Sequence, residues 1–178
     1  MKKRKYSILI IVPFILFSPM VLLGQASGEP SIGNPVVGDP PQAVEDEFVT
    51  DPAGYQVEAW VEDLVIPWEL VFLPEGRALV TERPGRIRLI QDGRLVPEPY
   101  LDLEEEVTHT GEGGLMGLAA HPDFPEQPYL YVMYTYRDGG GLYNGVARIR
   151  DYGSYGELEG FILSGIPGGR IHDGGRIR

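Results

Sequence analysis

The chain contains no cysteine. That absence excludes a disulfide framework, cysteine-ligated zinc or iron–sulfur centres and a thiol nucleophile. It also excludes a lipid-modified N-terminus, because Leu22-Leu23-Gly24-Gln25 lacks the residue that would carry the lipid. Lysine is missing after Lys5, so every later cation is an arginine. No stretch repeats apolar residues with a convincing helical period; Leu101 to Val107 reads as one turn at most. Positive charge is scarce, with a formal net charge of −11. Setting residues 1–26 aside leaves 11 basic against 26 acidic residues. Such a surface repels phosphate backbones, so no nucleic-acid partner is expected.

What is present begins with an export signal. Lys2-Lys3-Arg4-Lys5 is a basic head, and Ile8 to Leu23 is an apolar run broken by Pro13, Ser18 and Pro19. Gly24-Gln25-Ala26 suits cleavage after Ala26. The run is slightly short of the roughly 20 apolar residues that span a bilayer. A cleaved signal peptide is the expectation, with an uncleaved anchor as the alternative. Either puts the rest outside the cytoplasm, periplasmic or secreted. Membrane contact would come only through that anchor. Residues 27–55 carry Pro30, Pro35, Pro40, Pro41 and Pro52 among glycines and acids, without periodicity. They read as an extended, disordered linker.

From Gln56 the pattern is that of short strands. Val57, Ala59 and Val61 alternate; Trp68–Leu73, Ala78–Thr81 and Arg86–Ile90 follow, separated by Pro and Gly turns. Leu115–Ala120, Tyr129–Tyr136, Val146–Arg150 and Phe161–Leu163 continue the series. With Gly 24 and Pro 16 in the chain, turns are plentiful. The groups also repeat. Leu70–Gly76 resembles Leu118–Phe124, 48 residues later, and Gly113-Gly114-Leu115-Met116 returns in outline as Gly174-Gly175-Arg176-Ile177. A repeat of about 40–50 residues with four strands each is β-propeller spacing; a β-sandwich is the alternative. The reading is an all-β, partial propeller over 56–178: about two blades and the first strand of a third. Because propellers close with about 4–8 blades, a truncated reading frame is expected.

Three histidines are the candidates for chemistry. His121, in His121-Pro122-Asp123-Phe124, is expected to serve a turn. His109 precedes a glycine loop and reads as a solvated loop residue. His172 precedes Asp173-Gly174-Gly175, where the innermost strand of a third blade would start. Side chains there converge on a propeller's channel, and an imidazole can take a proton near neutral pH. Glu112 and Asp173 stand just before paired glycines, where an acid can bind a cation or polar ligand or cap its own turn. No phosphate-binding loop, zinc spacing or nucleophile elbow is present. Tyr129, Tyr131, Tyr134 and Tyr136 read as sheet packing. Arg86, Arg88, Arg148 and Arg150 read as solvated strand faces.

Several segments resemble one family when taken in order. They are Ile66-Pro67-Trp68 with Phe72–Gly76, Val80–Ile87, Gly111–Leu118 with His121–Phe124, Gly165–Gly169, and His172-Asp173-Gly174-Gly175-Arg176-Ile177. Together they resemble the soluble pyrroloquinoline quinone (PQQ)-dependent aldose sugar dehydrogenases, the glucose/sorbosone dehydrogenase family. The resemblance implies a six-bladed propeller and an exported enzyme oxidising the C1 hydroxyl of aldoses to lactones. It implies PQQ with Ca2+ as cofactors and an external electron acceptor. His172 would be the general base, with Glu112 and Asp173 as cofactor-binding positions and no metal ligand among these residues. Where members of the family place an Asp before the base, this chain has Ile171. Most calcium and cationic quinone contacts are expected beyond Arg178, so the 178 residues alone are expected to be inactive. The alternatives are a non-catalytic extracellular propeller acting as an interaction module and a calcium-dependent lactonase-like propeller.

Overall fold

The computed structural model describes residues 6–13, 42–43 and 55–178, with side chains from Glu58 onward. These residues form strands and turns, with no helix among them. Three strands make a first small sheet: β1 (Tyr6–Pro13), β2 (Gln42–Ala43) and β3 (Tyr55–Leu64), in the order β1-β3-β2. The rest of the export segment and of the linker lies outside the described residues.

Two four-stranded antiparallel meanders follow. Blade one is β4 (Pro67–Phe72), β5 (Arg77–Glu82), β6 (Arg86–Gln91) and β7 (Arg94–Asp102). Blade two is β8 (Leu115–Ala120), β9 (Tyr129–Asp138), β10 (Gly141–Asp151) and β11 (Gly156–Pro167). The inner strands β4 and β8 start 48 residues apart, and they share an irregularity. In β4 the register slips between Pro67 and Leu70, and in β8 it slips at the matching place between Leu115 and Leu118. A bulge frees backbone groups from the ladder. Thr81 uses them to join the blades: its Oγ1 accepts the Glu69 N–H at 3.0 Å and donates to the Met116 carbonyl at 2.7 Å. The fold is a partial β-propeller.

The core lies between the blades. Leu79, Ile87 and Leu89 of blade one meet Leu115, Leu118, Leu130, Val132, Ala147 and Ile149 of blade two. The opposite face of blade one is closed by β3, with Val61 and Leu64 against Ala78, Val80, Ile90 and Leu95. One turn at Leu103–Val107, closed by the Val107 N–H on the Leu103 carbonyl at 2.9 Å, leads from β7 toward β8.

Residues 168–178 are irregular; they leave β10, where the Gly168 N–H donates to the Leu142 carbonyl, pass the loop before β8 and reach β8 itself at Gly175. The Gly117 N–H donates to the Gly175 carbonyl at 3.0 Å. A Cβ on Gly117 would come within 2.2 Å of that oxygen, so only glycine admits this approach. Gly174–Arg178 thus begins where a third inner strand would lie.

One expectation, for Arg88, is corrected, and two readings are completed. The series of strands read in the sequence lacks β7, which carries Pro97 and Pro99; as the outer edge it pairs on one side only, which tolerates proline. Arg88 is not solvated. It is 9% exposed, donates to the carbonyls of Val96 and Pro97, and lies 3.6 Å from the fully buried Glu82. The tyrosines of β9 occupy two faces: Tyr134 faces the core with Tyr136 packed against it, and Tyr129 and Tyr131 lie on the other side.

Candidate functional site

The site is built where the loop before β8 meets the segment after β11. Glu112 reaches across this junction in both directions. Its backbone N–H donates to the Arg170 carbonyl at 3.0 Å, and its Oε2 accepts the His172 N–H at 2.5 Å. His172 is exposed and has φ +64°, a left-handed conformation that costs a non-glycine residue energy. Its imidazole is therefore presented to solvent on a backbone held by a carboxylate.

Asp173 points the other way. It is 8% exposed, and its Oδ1 accepts from Asn144 Nδ2 at 3.1 Å and from the Gly169 N–H at 2.8 Å. Its Oδ2 is buried without a hydrogen-bond partner and lies against Gly113, where a Cβ would come within 2.7 Å of it. Asn144 Oδ1 in turn accepts the Thr135 hydroxyl at 2.7 Å, and Thr135 Oγ1 accepts the Gly114 N–H at 3.2 Å. Glu112 ties one segment to another, and Asp173 both holds the backbone of its own segment at Gly169 and ties it to β10 through Asn144.

Arg83 fixes the loop from the blade-one side. Its Nη2 donates to the carbonyls of Gly111 and Gly113, the latter at 3.0 Å. His109 is an exposed loop residue beside it, and partial desolvation, with the Arg83 charge second, pushes its pKa below the usual imidazole value. Its exposure agrees with the reading of a solvated loop residue. His121 serves its turn: Nδ1 accepts the Asp123 N–H at 3.1 Å, and the ring lies 6.2 Å from that of Tyr131. Arg176, in the irregular segment, pairs with Glu69 of β4 at 2.9 Å and lies 5.4 Å over the Trp68 ring.

The structure brings His172, Glu112 and Asp173 to one junction, with the His172 imidazole and the Asp173 carboxylate committed to opposite surroundings. Thr135, Asn144 and Arg83 were missed. A signal for the first two existed: they sit directly opposite each other in the β9–β10 register, two polar residues flanked by tyrosines. What the site can do is accept a proton at an exposed imidazole. Among the described residues, no group of three or more His, Asp or Glu could hold a metal ion.

Residues 64–178 of this partial propeller match the Glucose / Sorbosone dehydrogenase family. The chain belongs to that family. Among solved structures, the oxidoreductase (glucose dehydrogenase) of Thermus thermophilus is 50% identical, with a TM-score of 0.58 over 64% of this chain and 33% of that one. The PQQ-bound aldose sugar dehydrogenase (Adh) of Streptomyces coelicolor is 31% identical, with a TM-score of 0.55 over 64% of this chain and 34% of that one. Aldose sugar dehydrogenase YliI of Escherichia coli K12 is 33% identical over 85 residues, 47% of this chain and 23% of that protein. The chain spans about a third of the length of the relatives it matches.

Proposed function

We propose that this chain supplies two blades, and the base-bearing start of a third, to an exported PQQ-dependent sugar dehydrogenase that oxidises the C1 hydroxyl of aldoses to lactones. The observation that carries this reading is His172, an exposed imidazole on a backbone pinned by Glu112 at the start of the third repeat. Export through residues 1–26, with cleavage after Ala26 and a linker over 27–55, belongs to the same proposal. It makes the protein periplasmic or secreted, and N-terminal sequencing of the exported chain tests it.

The quinone, an anionic ring system, fits these residues in part. Arg83 is spent on loop carbonyls and Arg176 on Glu69, whereas Arg170, two residues before His172, is exposed, and its guanidinium makes no hydrogen bond or ion pair among the described residues. Arg170 and His172 would therefore meet it. When bound, the quinone supplies the two-electron acceptor. His172, as neutral imidazole, takes the C1 hydroxyl proton, and C1 becomes the lactone carbonyl carbon as it gives up its hydride. Asp173, with its Oδ1 bonded to Asn144 and Gly169, would hold the backbone beside His172. The described residues offer calcium no cluster of three or more acids or histidines.

The test replaces the matching segment of the Streptomyces coelicolor enzyme with residues 64–178. The hybrid should reduce a dye with aldoses in the presence of PQQ, and His172→Ala should lower turnover about 10²–10⁴-fold. A hybrid that binds PQQ and turns over equally well with His172→Ala would sink the assignment. The 178 residues alone should show no such activity.

A further inference from the structure

His172 adopts a left-handed backbone, and such a conformation persists only when its surroundings over-determine it. Those surroundings form a closed circuit. The His172 N–H donates to Glu112 Oε2; two residues on, the Gly114 N–H donates to Thr135 Oγ1; Thr135 donates to Asn144 Oδ1; Asn144 Nδ2 donates to Asp173 Oδ1; and Asp173 is covalently next to His172. The circuit crosses the loop before β8, strands β9 and β10, and the segment after β11. Gly113 sits inside it, with Asp173 Oδ2 and Thr135 Oγ1 within 2.7 and 2.8 Å of where a Cβ would stand. His172 and Glu112 are thus the exposed members of a ring whose other side chains, Thr135, Asn144 and Asp173, are buried.

We infer that Thr135, Asn144 and Asp173 are positioning residues for His172, acting through its backbone and not by contact with its imidazole. This deepens the function proposed above and rests on it for the word "positioning"; the ring itself is tested without sugar or quinone. Asp173 fits the role because both partners of its Oδ1 are fixed, one by a strand and one by the Gly169 backbone. Thr135 fits because its hydroxyl both donates and accepts, which valine, of the same shape, cannot do.

The experiment is amide hydrogen exchange by NMR on the full 178-residue chain. Thr135→Val should speed exchange at His172 and Gly169 at least tenfold relative to the strands of blade one, and Thr135→Ser should restore protection. Unchanged exchange at His172 in a folded Thr135→Val chain would overturn the inference. If Thr135→Val unfolds the chain, Glu112→Ala, at an exposed position, decides it. Faster exchange at both His172 and Gly169 supports a coupled ring; faster exchange at His172 alone, or at neither, overturns it. Loss of activity in the hybrid enzyme with the ring intact would count against the proposed function only.

Discussion

Blade one and blade two have the same strand order and the same inner-strand bulge, yet they are buried differently. In blade one, β5 and β6 each contain four or more consecutive buried residues, because the core covers one face and β3 the other. In blade two, β9 and β10 alternate, with Leu130, Val132, Ala147 and Ile149 buried between half-exposed neighbours. Its outer strand β11 leaves Phe161, Ile162 and Leu163 exposed. The sequences carry the difference openly. Ala78-Leu79-Val80-Thr81 is a continuous run, as a strand covered on both faces should be, and Tyr129–Tyr136 mixes large amphipathic rings with aliphatics. Topology repeats between the blades, and environment does not.

The sharpest test of the seam between them is its buried ion pair. Arg77 of blade one holds Asp151 of blade two through two bonds of 2.9 and 3.0 Å, with side chains 10% and 7% exposed. Tyr100 donates to the same carboxylate at 2.7 Å. Asp151→Ala strands a buried guanidinium and should cost about 3–5 kcal/mol in chemical denaturation. Burial raises the Asp151 pKa, but the bonds from Arg77 and Tyr100 and the Arg77 charge outweigh it and leave the group below the ordinary aspartate value of 3.8. A depressed carboxylate stabilises the fold above its unfolded pKa and loses that contribution as pH falls through the folded one. The stability gap between wild type and Asp151→Asn should therefore be full at neutral pH and close below about pH 3.8. A gap that stays constant into acid would remove the charged pair from the account of the seam.

Next in size are the two faces of blade one. Leu130 closes the core side and Ile90 the β3 side, both at 0% exposure. Truncating either to alanine should cost about 2–5 kcal/mol, the usual range for an aliphatic core residue. Near-equality of the two would sustain the claim that β3 seals blade one as well as blade two does. An Ile90→Ala cost under about 0.5 kcal/mol, the surface range, would break the comparison and leave both blades one-sided.

How far these features were legible depends on whether local pattern or partner geometry decides them. The 48-residue offset of β4 and β8 was visible because a short apolar run followed by Pro and an acid recurs. Strand β7 was hidden by its prolines, whose cost depends on being an edge. Arg88 looked solvated because alternate arginines on a strand usually are. Its fate follows from the register, which puts Arg86 opposite Glu82 and Arg88 opposite Val80, leaving a buried carboxylate diagonal to it. At the site, His172, Glu112 and Asp173 stood out by their glycines. Their connection through Thr135 and Asn144 did not, because it needs the β9–β10 pairing to be known.

The smallest expected effect probes the open face of blade two. Ile162 is 58% exposed on β11 and lines a hollow with Tyr131, Val146 and Ile177. With most of its surface already in water, Ile162→Ala should move the stability of this chain by no more than about 0.5 kcal/mol. In the hybrid enzyme, where further blades are present, the same change should cost more if a neighbouring sheet covers this hollow, since burial there converts the lost methylenes into transfer energy of roughly 0.8 kcal/mol each. A cost that stays small in both backgrounds would mean that the exposed aliphatics of β11 form a surface in the assembled propeller as well. The contrast between the blades would then be a lasting property of the fold and not a consequence of which neighbours each blade has.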